Sequence, residues 1–373
     1  MGVTAQVHRR LAGWAVKRPH ALVVAVPGWT AARLAVERAV HSAGGTLALS
    51  PADADLLITA GRPCEEMLEA VDRVWAQVPG PAVRGTVTDP ATATHEVADL
   101  LLRLSEAEPG GRDDGMDLPG DLGMADRAPD RDGLTLDVLH VPWGPVLPFW
   151  PGGLVVDVEL QGDVVQSAQA RLLSGTERRT PYWSSPPGGG APTSGHQRAA
   201  AHLDSLTRLL ALAGWSSAAD RAMLLRDALL APAVPSQVVD DVARLRRRLL
   251  RSRTLRWATD DLGVISRDDV ARWGLSGPAA RACAVGGDAT ARWRTWLQEI
   301  DAALSGAKPG PDSGPHGDGA EGSAALARAA TTLMAGLDVA AARLVMASLD
   351  PDPDELALTV SGSDATLPLG GLP

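Results

Sequence analysis

Cys64 and Cys283 are the only thiols in a chain of 373 residues, so thiolate chemistry is tightly bounded from the start. They lie too far apart to form a local metal motif, and Cys64 has no Cys-x-x-Cys partner for redox work. An iron-sulfur cluster takes about four thiolate ligands, more than this chain can supply. Eight histidines are scattered, and no His-Glu-x-x-His pattern sets two imidazoles on one helical face. His196 and His202 do not align on a helix, and because metal ligands come in matched sets, neither is assigned to a metal. Asp350-Pro-Asp-Pro-Asp resembles a fragment of a calcium loop but lacks its Gly and terminal Glu, and reads as a solvated turn. No Gly-x-Ser-x-Gly elbow, Walker loop or Gly-x-Gly-x-x-Gly turn is present, and Gly188-Gly189-Gly190 is spacer after two prolines. Glu65 and Glu66 open a helix, where negative charge suits the N-terminal dipole. Residue types and spacings therefore assign no catalytic, cofactor-binding or metal-ligating residue.

The strongest charge feature is the run of Arg244, Arg246, Arg247, Arg248, Arg251, Arg253 and Arg256 on one helix and its end. Like charges at helical spacing repel, and a partner relieves that repulsion. The candidates, in order, are acidic side chains of another subunit, lipid head groups and RNA; a merely solvated face is an equal alternative. The net charge of −10 argues against general nucleic-acid binding, which draws on basic side chains to neutralise phosphates.

The elements that must position these residues fall into two parts, and the chain is long enough for two domains with their own cores. Apolar residues make up 45% and charged residues 21%, the balance of a soluble globular protein. Ala21 to Val26, Thr46 to Leu49, Ala54 to Thr59 and Ala82 to Val87 read as strands. They alternate with helices over Thr30 to Ala43, Glu65 to Gln77 and a last stretch through Leu104. This alternation predicts an open α/β sheet of parallel strands, with any ligand beyond their carboxyl ends, at Pro27 to Thr30, Gly61 to Cys64 and Thr86 to Pro90. The first domain is expected over 1–105, a Gly/Asp/Pro-rich flexible linker over 106–133, and a second domain over 134–373.

In that second part Thr135 to His140 is strand-like, and Leu154 to Leu160 and Val164 to Leu172 flank Gln161-Gly162-Asp163 as a hairpin. Thr180 to Gly195 is a Pro/Gly/Ser-rich loop. Helical stripes follow at Leu203, Leu206, Leu210 and Ala213, at Val238, Val242, Leu245 and Leu249, and at Trp293, Trp296, Leu297 and Ile300. A disordered loop is expected near 305–323, then one long helix from Ala324 to Leu349. The fold class is thus an α/β open parallel sheet followed by an α+β domain of hairpin and helical bundle. No run of about 18 apolar residues could span a bilayer, and no signal-peptide pattern is present, so a cytoplasmic protein is expected.

The run from Ala52 to Arg62, continued by Met67, Val71 and Arg73 through Pro81, resembles the NuoB-type subunit of respiratory complex I and, more distantly, the small subunit of nickel-iron hydrogenases. In that family a four-iron cluster is held by a Cys pair after the first strand, a Cys after the fourth, and a later Cys-Pro. Here those places hold Pro27-Gly28-Trp29-Thr30 and Gly85-Thr86-Val87, and the chain reaches its linker with no third site. Trp143-Gly144-Pro145, Gly152, Val158 to Val165 and Gly175-Thr176-Glu177, with Leu262 to Val285 farther on, resemble the NuoD-type subunit. The slots of that subunit's quinone-facing histidines are filled by Leu147 and Pro151, Tyr182 lies in a loop, and nickel-binding Cys-x-x-Cys pairs are absent.

Together the resemblances cover about Pro19 to Ser105 and Leu134 to Leu304, and imply a degenerate NuoB/NuoD-like fusion with no cluster, quinone site or cofactor. They imply a non-catalytic accessory or assembly subunit of complex I, docked among the subunits of its peripheral arm at the inner face of the membrane. No nucleic-acid partner and no direct membrane span are expected. Trp29, Phe149 and Trp150 would fill space, meet a partner or pack between the two parts. The alternatives are a free-standing scaffold or maturation factor, and an enzyme with a nucleotide pocket at the strand ends.

Overall fold

The computed structural model describes residues 18–107, 126–129, 135–175, 177, 180–184, 195–308, 316–317, 319–359 and 366–369. Four strands, β1 (His20–Ala25), β2 (Thr46–Leu47), β3 (Leu56–Ala60) and β4 (Val83–Val87), form a wholly parallel sheet in the order β2-β1-β3-β4. β3 is Leu-Leu-Ile-Thr-Ala with all five residues buried, as a central strand covered on both faces must be. Helices α1 (Thr30–Ser42), α2 (Glu65–Trp75) and α3 (Ala93–Glu106) supply that cover. Gly85 lets α3 approach closely: a Cβ there would stand 2.7 Å from Leu100 Cδ2. The expected α/β layout is present, with boundaries shifted by one or two residues.

The second part opens on an antiparallel sheet of β5 (Asp126–Pro129), β6 (Thr135–Trp143), β7 (Leu154–Gln161), β8 (Val164–Leu173) and β9 (Thr366–Leu369), paired in that order. β7 and β8 turn at Gly162, whose φ of 61° suits a tight hairpin. β5 pairs with Thr135 to Val138, the first half of β6, and itself occupies part of the segment read as linker; 108–125 and 130–134 lie outside the described residues. Helices α4 (Gly195–Leu212), α5 (Ser216–Leu229), α6 (Val238–Arg251) and α7 (Arg253–Thr259) begin the bundle. It continues through α8 (Arg267–Trp273), α9 (Gly277–Ala282), α10 (Ala289–Leu304), α11 (Gly319–Met334), α12 (Val339–Leu349) and α13 (Pro353–Thr359). The stripes of α4, α6 and α10 are buried in one helical core, while α11 and α12 pack on the hairpin sheet in another.

Two expectations for this region are corrected. The long helix over Ala324 to Leu349 is two helices, because Gly336 adopts φ 82° and Asp338 starts α12 by accepting the Ala341 amide at 2.8 Å. The segment 305–323 is ordered at its end: His316 is 3% exposed, and α11 starts at Gly319. Residues 309–315 lie outside the described set.

The two parts interlock at backbone distance. A Cβ on Gly152 would lie 2.5 Å from the Ala25 carbonyl oxygen, and one on Gly153 would lie 2.5 Å from Pro27 Cγ. Pro63 forms a bridge with Gly175, and Arg171 donates to Glu66 at 2.7 Å. Cores are shared as well: Leu34 of α1 packs in the helical core, while Val146, Val155 and Leu173 pack in that of the parallel sheet.

Candidate functional site: a buried charge network beside the first βα turn

The loop after β1 sets the centre of the site. Val26 continues the strand, Gly28 turns with φ 84°, and α1 begins at Thr30. Trp29 is 4% exposed, and its ring lies across Gly61, where a Cβ would meet Trp29 Cγ at 2.4 Å. The loop after β1, one of the places where the resemblance would put cluster ligands, is thus filled by an indole that packs on the loop after β3. The Gly28 amide donates to Asp354 Oδ1 at 2.7 Å, and the Tyr182 amide donates to Asp354 Oδ2 at 3.3 Å. The C-terminal segment therefore plugs the same loop from the other side.

This corrects the reading of Asp350-Pro-Asp-Pro-Asp as a solvated turn. Asp350, Asp352, Asp354 and Glu355 are each at most 3% exposed. Burying carboxylates is costly unless each finds a partner, so the run is affordable only through contacts far away in sequence. Asp350, left-handed at φ 48° after α12, takes a bidentate pair of hydrogen bonds from Arg208, Nε and Nη2 each at 2.7 Å. Glu355 accepts from Ser323 Oγ at 2.6 Å and from Ser184 Oγ. The Asp354 amide caps back onto Asp352 Oδ1 at 2.9 Å, and the Asp352 amide donates to Ser323 Oγ at 3.1 Å.

Arg208 joins this run to a second group centred on Asp204. That carboxylate accepts from Arg33 Nη2 at 2.7 Å, Arg208 Nη1 at 2.6 Å and Arg226 Nη1 at 2.6 Å. Arg226 is fully buried and also holds Glu37 Oε2 at 2.8 Å and Asp227. The network ties α1 of the first part to α4, α5 and the C-terminal run of the second. Burial opposes the charged form of Asp204, but Arg33, Arg208 and Arg226 outweigh it and hold the carboxyl well below its ordinary range. Asp350 is likewise low, burial being overcome by Arg208 and His316. Burial, reinforced by the charge of Asp354, pushes Asp352 up to about 8. His316 rises to about 9, since the carboxylates of Asp350, Asp352 and Glu355 outweigh burial. His202 is driven down to about 3 by burial and by the charge of His316.

A cavity of about 80 Å³ lies between β1 and the 145–152 loop. One wall is apolar, with Val24, Leu147 and Trp150; the other presents Arg33, Asp204, Arg208, His316 and Asp352. Leu147 and Pro151, at the expected histidine slots, both line it. Tyr182 is edge-on to Trp183 at 4.8 Å and serves the site through its backbone. Trp150 is 5% exposed and donates to the Leu154 carbonyl at 2.9 Å, while Phe149 sits at the loop tip with φ 56°. For Trp29 and Trp150 the internal-packing reading holds, and neither is available to an outside partner.

Cys64 is buried at the start of α2, and Cys283 is free and half-buried. His196 is exposed and His202 is buried on α4. The arginine run divides: Arg246 pairs with Asp301 at 2.7 Å, Arg244 pairs with Asp241, and Arg248 lies over the Trp215 ring at 4.9 Å. Arg244, Arg247, Arg248 and Arg251 line a shallow open groove with Trp215. Trp257, on the following helix, is 83% exposed. Among the described residues no helix is long and apolar enough to cross a membrane.

No family model and no curated protein matches the chain. Among solved structures, it is similar to a chain from the membrane-bound sulfane sulfur reductase (MBS), an archaeal respiratory membrane complex. The two share 16% identity at a TM-score of 0.44, covering 59% of this chain and 98% of that one.

Proposed function

We propose that this protein is a non-redox accessory or assembly component of a respiratory membrane complex of the complex I type, built from a NuoB-like and a NuoD-like part that have kept their mutual packing and given up electron transfer. One observation carries the reading: the loops after β1 and β3 are packed by Trp29 against Gly61 and sealed by Asp354 on the Gly28 amide. A loop that is filled by an indole and plugged by a carboxylate has no room for a cluster. The cavity supports the same view, because at about 80 Å³ it is far smaller than the roughly 300–1,000 Å³ of pockets that take cofactor-sized ligands. That size also weighs against the nucleotide-binding enzyme.

Docking through the arginine groove of α6 and the exposed Trp257 would place the protein on an acidic surface of a neighbouring subunit, on the peripheral arm at the inner face of the membrane. Gentle solubilisation of membranes followed by affinity purification of this chain is the test. Retention of the NADH:quinone oxidoreductase peripheral-arm subunits is expected; elution alone at low and moderate salt would favour the free-standing scaffold or maturation factor. A stoichiometric cluster in anaerobically purified protein, seen as acid-labile sulfide with visible absorbance, would overturn the reading.

A further inference from the structure

His316, Asp352 and Glu355 meet at one edge of the cavity, and a ligand atom from each lies within 4.8 Å of the others. They are 3%, 3% and 1% exposed. Two independent observations set this corner apart from an ordinary acidic cluster. The first is an orphaned imidazole: both ring nitrogens of His316 and Asp352 Oδ2 are buried without a hydrogen bond. His316 Nε2 stands 3.3 Å from Asp350 Oδ2, and Nδ1 stands 3.7 Å from Asp352 Oδ2. The second is charge. Glu37, Asp204, Asp350, Asp352, Asp354 and Glu355 are buried, and the guanidiniums of Arg33, Arg208 and Arg226 are the arginines that pair with them. At the end of the network that holds His316, Asp352, Asp354 and Glu355 have no guanidinium partner among the described ion pairs.

We propose that His316 Nδ1, Asp352 and Glu355 form a binding site for a single divalent transition-metal ion of the Zn²⁺, Fe²⁺ or Mn²⁺ class. An imidazole with two carboxylates is a nitrogen and oxygen donor set suited to these ions, and three protein ligands leave a coordination position for water. The separation of Nδ1 from Asp352 Oδ2, 3.7 Å, is close to the span of about 3.4 Å between neighbouring donors on a tetrahedral ion with bonds of about 2.1 Å. The surroundings supply an outer shell. Asp350 stands 3.3 Å from the other ring nitrogen, placed to keep a proton there when an ion takes Nδ1, and Ser323 and Ser184 orient Glu355. His316 and Asp352 both border the cavity, which gives the open position its solvent. The ion would pin the segment before α11 to α13, next to the carboxylate that seals the Gly28 loop.

The full-length protein, stripped by chelator and reloaded separately with Zn²⁺, Mn²⁺ and, without oxygen, Fe²⁺, provides the test. One equivalent of one of these ions, no acid-labile sulfide and a rise in melting temperature are expected. D352N and E355Q should each weaken binding at least 10-fold, the scale on which even outer-shell changes act. H316Q should do the same, and D352N guards against misfolding, since it keeps the shape of the side chain. Wild-type protein that takes up no ion, or variants that fold and bind as wild type does, would overturn the proposal and leave His316 as a protonated ion-pair partner. Neither outcome bears on the missing cluster, so the accessory reading is tested separately.

Discussion

The carboxylate of Asp354 accepts the amide hydrogen of Gly28 at 2.7 Å, across 326 residues of sequence. It joins the chain's C-terminal run to its first βα turn, the turn at which a parallel sheet usually offers a ligand its backbone amides. The amides are therefore committed within the protein. Asp354→Ala leaves the part-buried Gly28 and Tyr182 amides without this acceptor, and an unsatisfied buried donor costs about 1–3 kcal/mol. Asp354→Asn keeps one oxygen acceptor and relieves a carboxyl whose pKa burial already raises. Denaturant unfolding is expected to show a loss of about 2–4 kcal/mol for the alanine variant and clearly less for asparagine. Equal losses would mean that the contact does not hold the turn.

Trp29 and Gly61 are expected to be strongly coupled. A methyl on Gly61 would meet Trp29 Cγ at 2.4 Å and would be strained at φ 119°. Gly61→Ala therefore destabilises through both clash and backbone, while Trp29→Ala opens a cavity at a cost of about 3–5 kcal/mol. In the double variant the clash is gone and the backbone strain remains. A double-mutant cycle should give a favourable coupling of about 1–3 kcal/mol, and additive losses would show that the indole does not rest on Gly61.

Acid should remove the contributions of His202 and Asp204 to the fold in two stages. His202 is held neutral, at about 3 in the folded state against 6.5 when unfolded, so the unfolded chain binds the extra proton between those values. Stability from this group is full above pH 6.5 and falls as pH drops, by up to about 1.4 kcal/mol per pH unit. Asp204 is depressed by its three arginines, so its contribution is present above its unfolded value of 3.8 and is lost as pH falls further. Asp352, pushed up to about 8, and His316, raised to about 9, work the other way and gain stability as pH falls, so the pH dependence of the urea midpoint is their sum, and the test is the difference between proteins: from pH 7.5 to 4, His202→Gln should lose less, or gain more, than wild type. An unchanged slope in that variant would assign the acid limb elsewhere.

Much of the scaffold is legible in the sequence because its signals are local. Apolar runs such as Leu56 to Ala60, separated by helical stripes, dictate a parallel sheet, and Gln161-Gly162-Asp163 dictates a hairpin. The break between α11 and α12 was also legible: Gly336 and Asp338 together are a stop and a start. The Asp350 to Glu355 run is not legible locally. Its burial depends on Arg208, Gly28, Ser323 and His316, none of which lies nearby in sequence. Four acidic residues punctuated by two prolines look solvated until their distant partners are known. Trp29 is similar, since its role depends on a glycine in another strand's loop.

The arginine groove separates docking from stability. Arg247 and Arg251 are exposed, face the same groove and stand four residues apart on α6, a spacing at which like charges repel. Reversing one of them creates an opposite-charge pair worth about 0.3–0.5 kcal/mol on an exposed helix, so Arg251→Glu should leave the unfolding midpoint unchanged or slightly raised. The same change removes positive charge from the face proposed to meet an acidic subunit, where complementary charge governs association and weakens with salt. Recovery of complex subunits with the Arg251→Glu protein is expected to fall at low ionic strength, with wild type approaching the same low recovery as salt is raised. Retention of those subunits at wild-type levels in an Arg247→Glu/Arg251→Glu protein would move the docking face away from α6, leaving the groove as a solvated surface whose repulsion is already relieved by Asp241, Asp301 and the Trp215 ring.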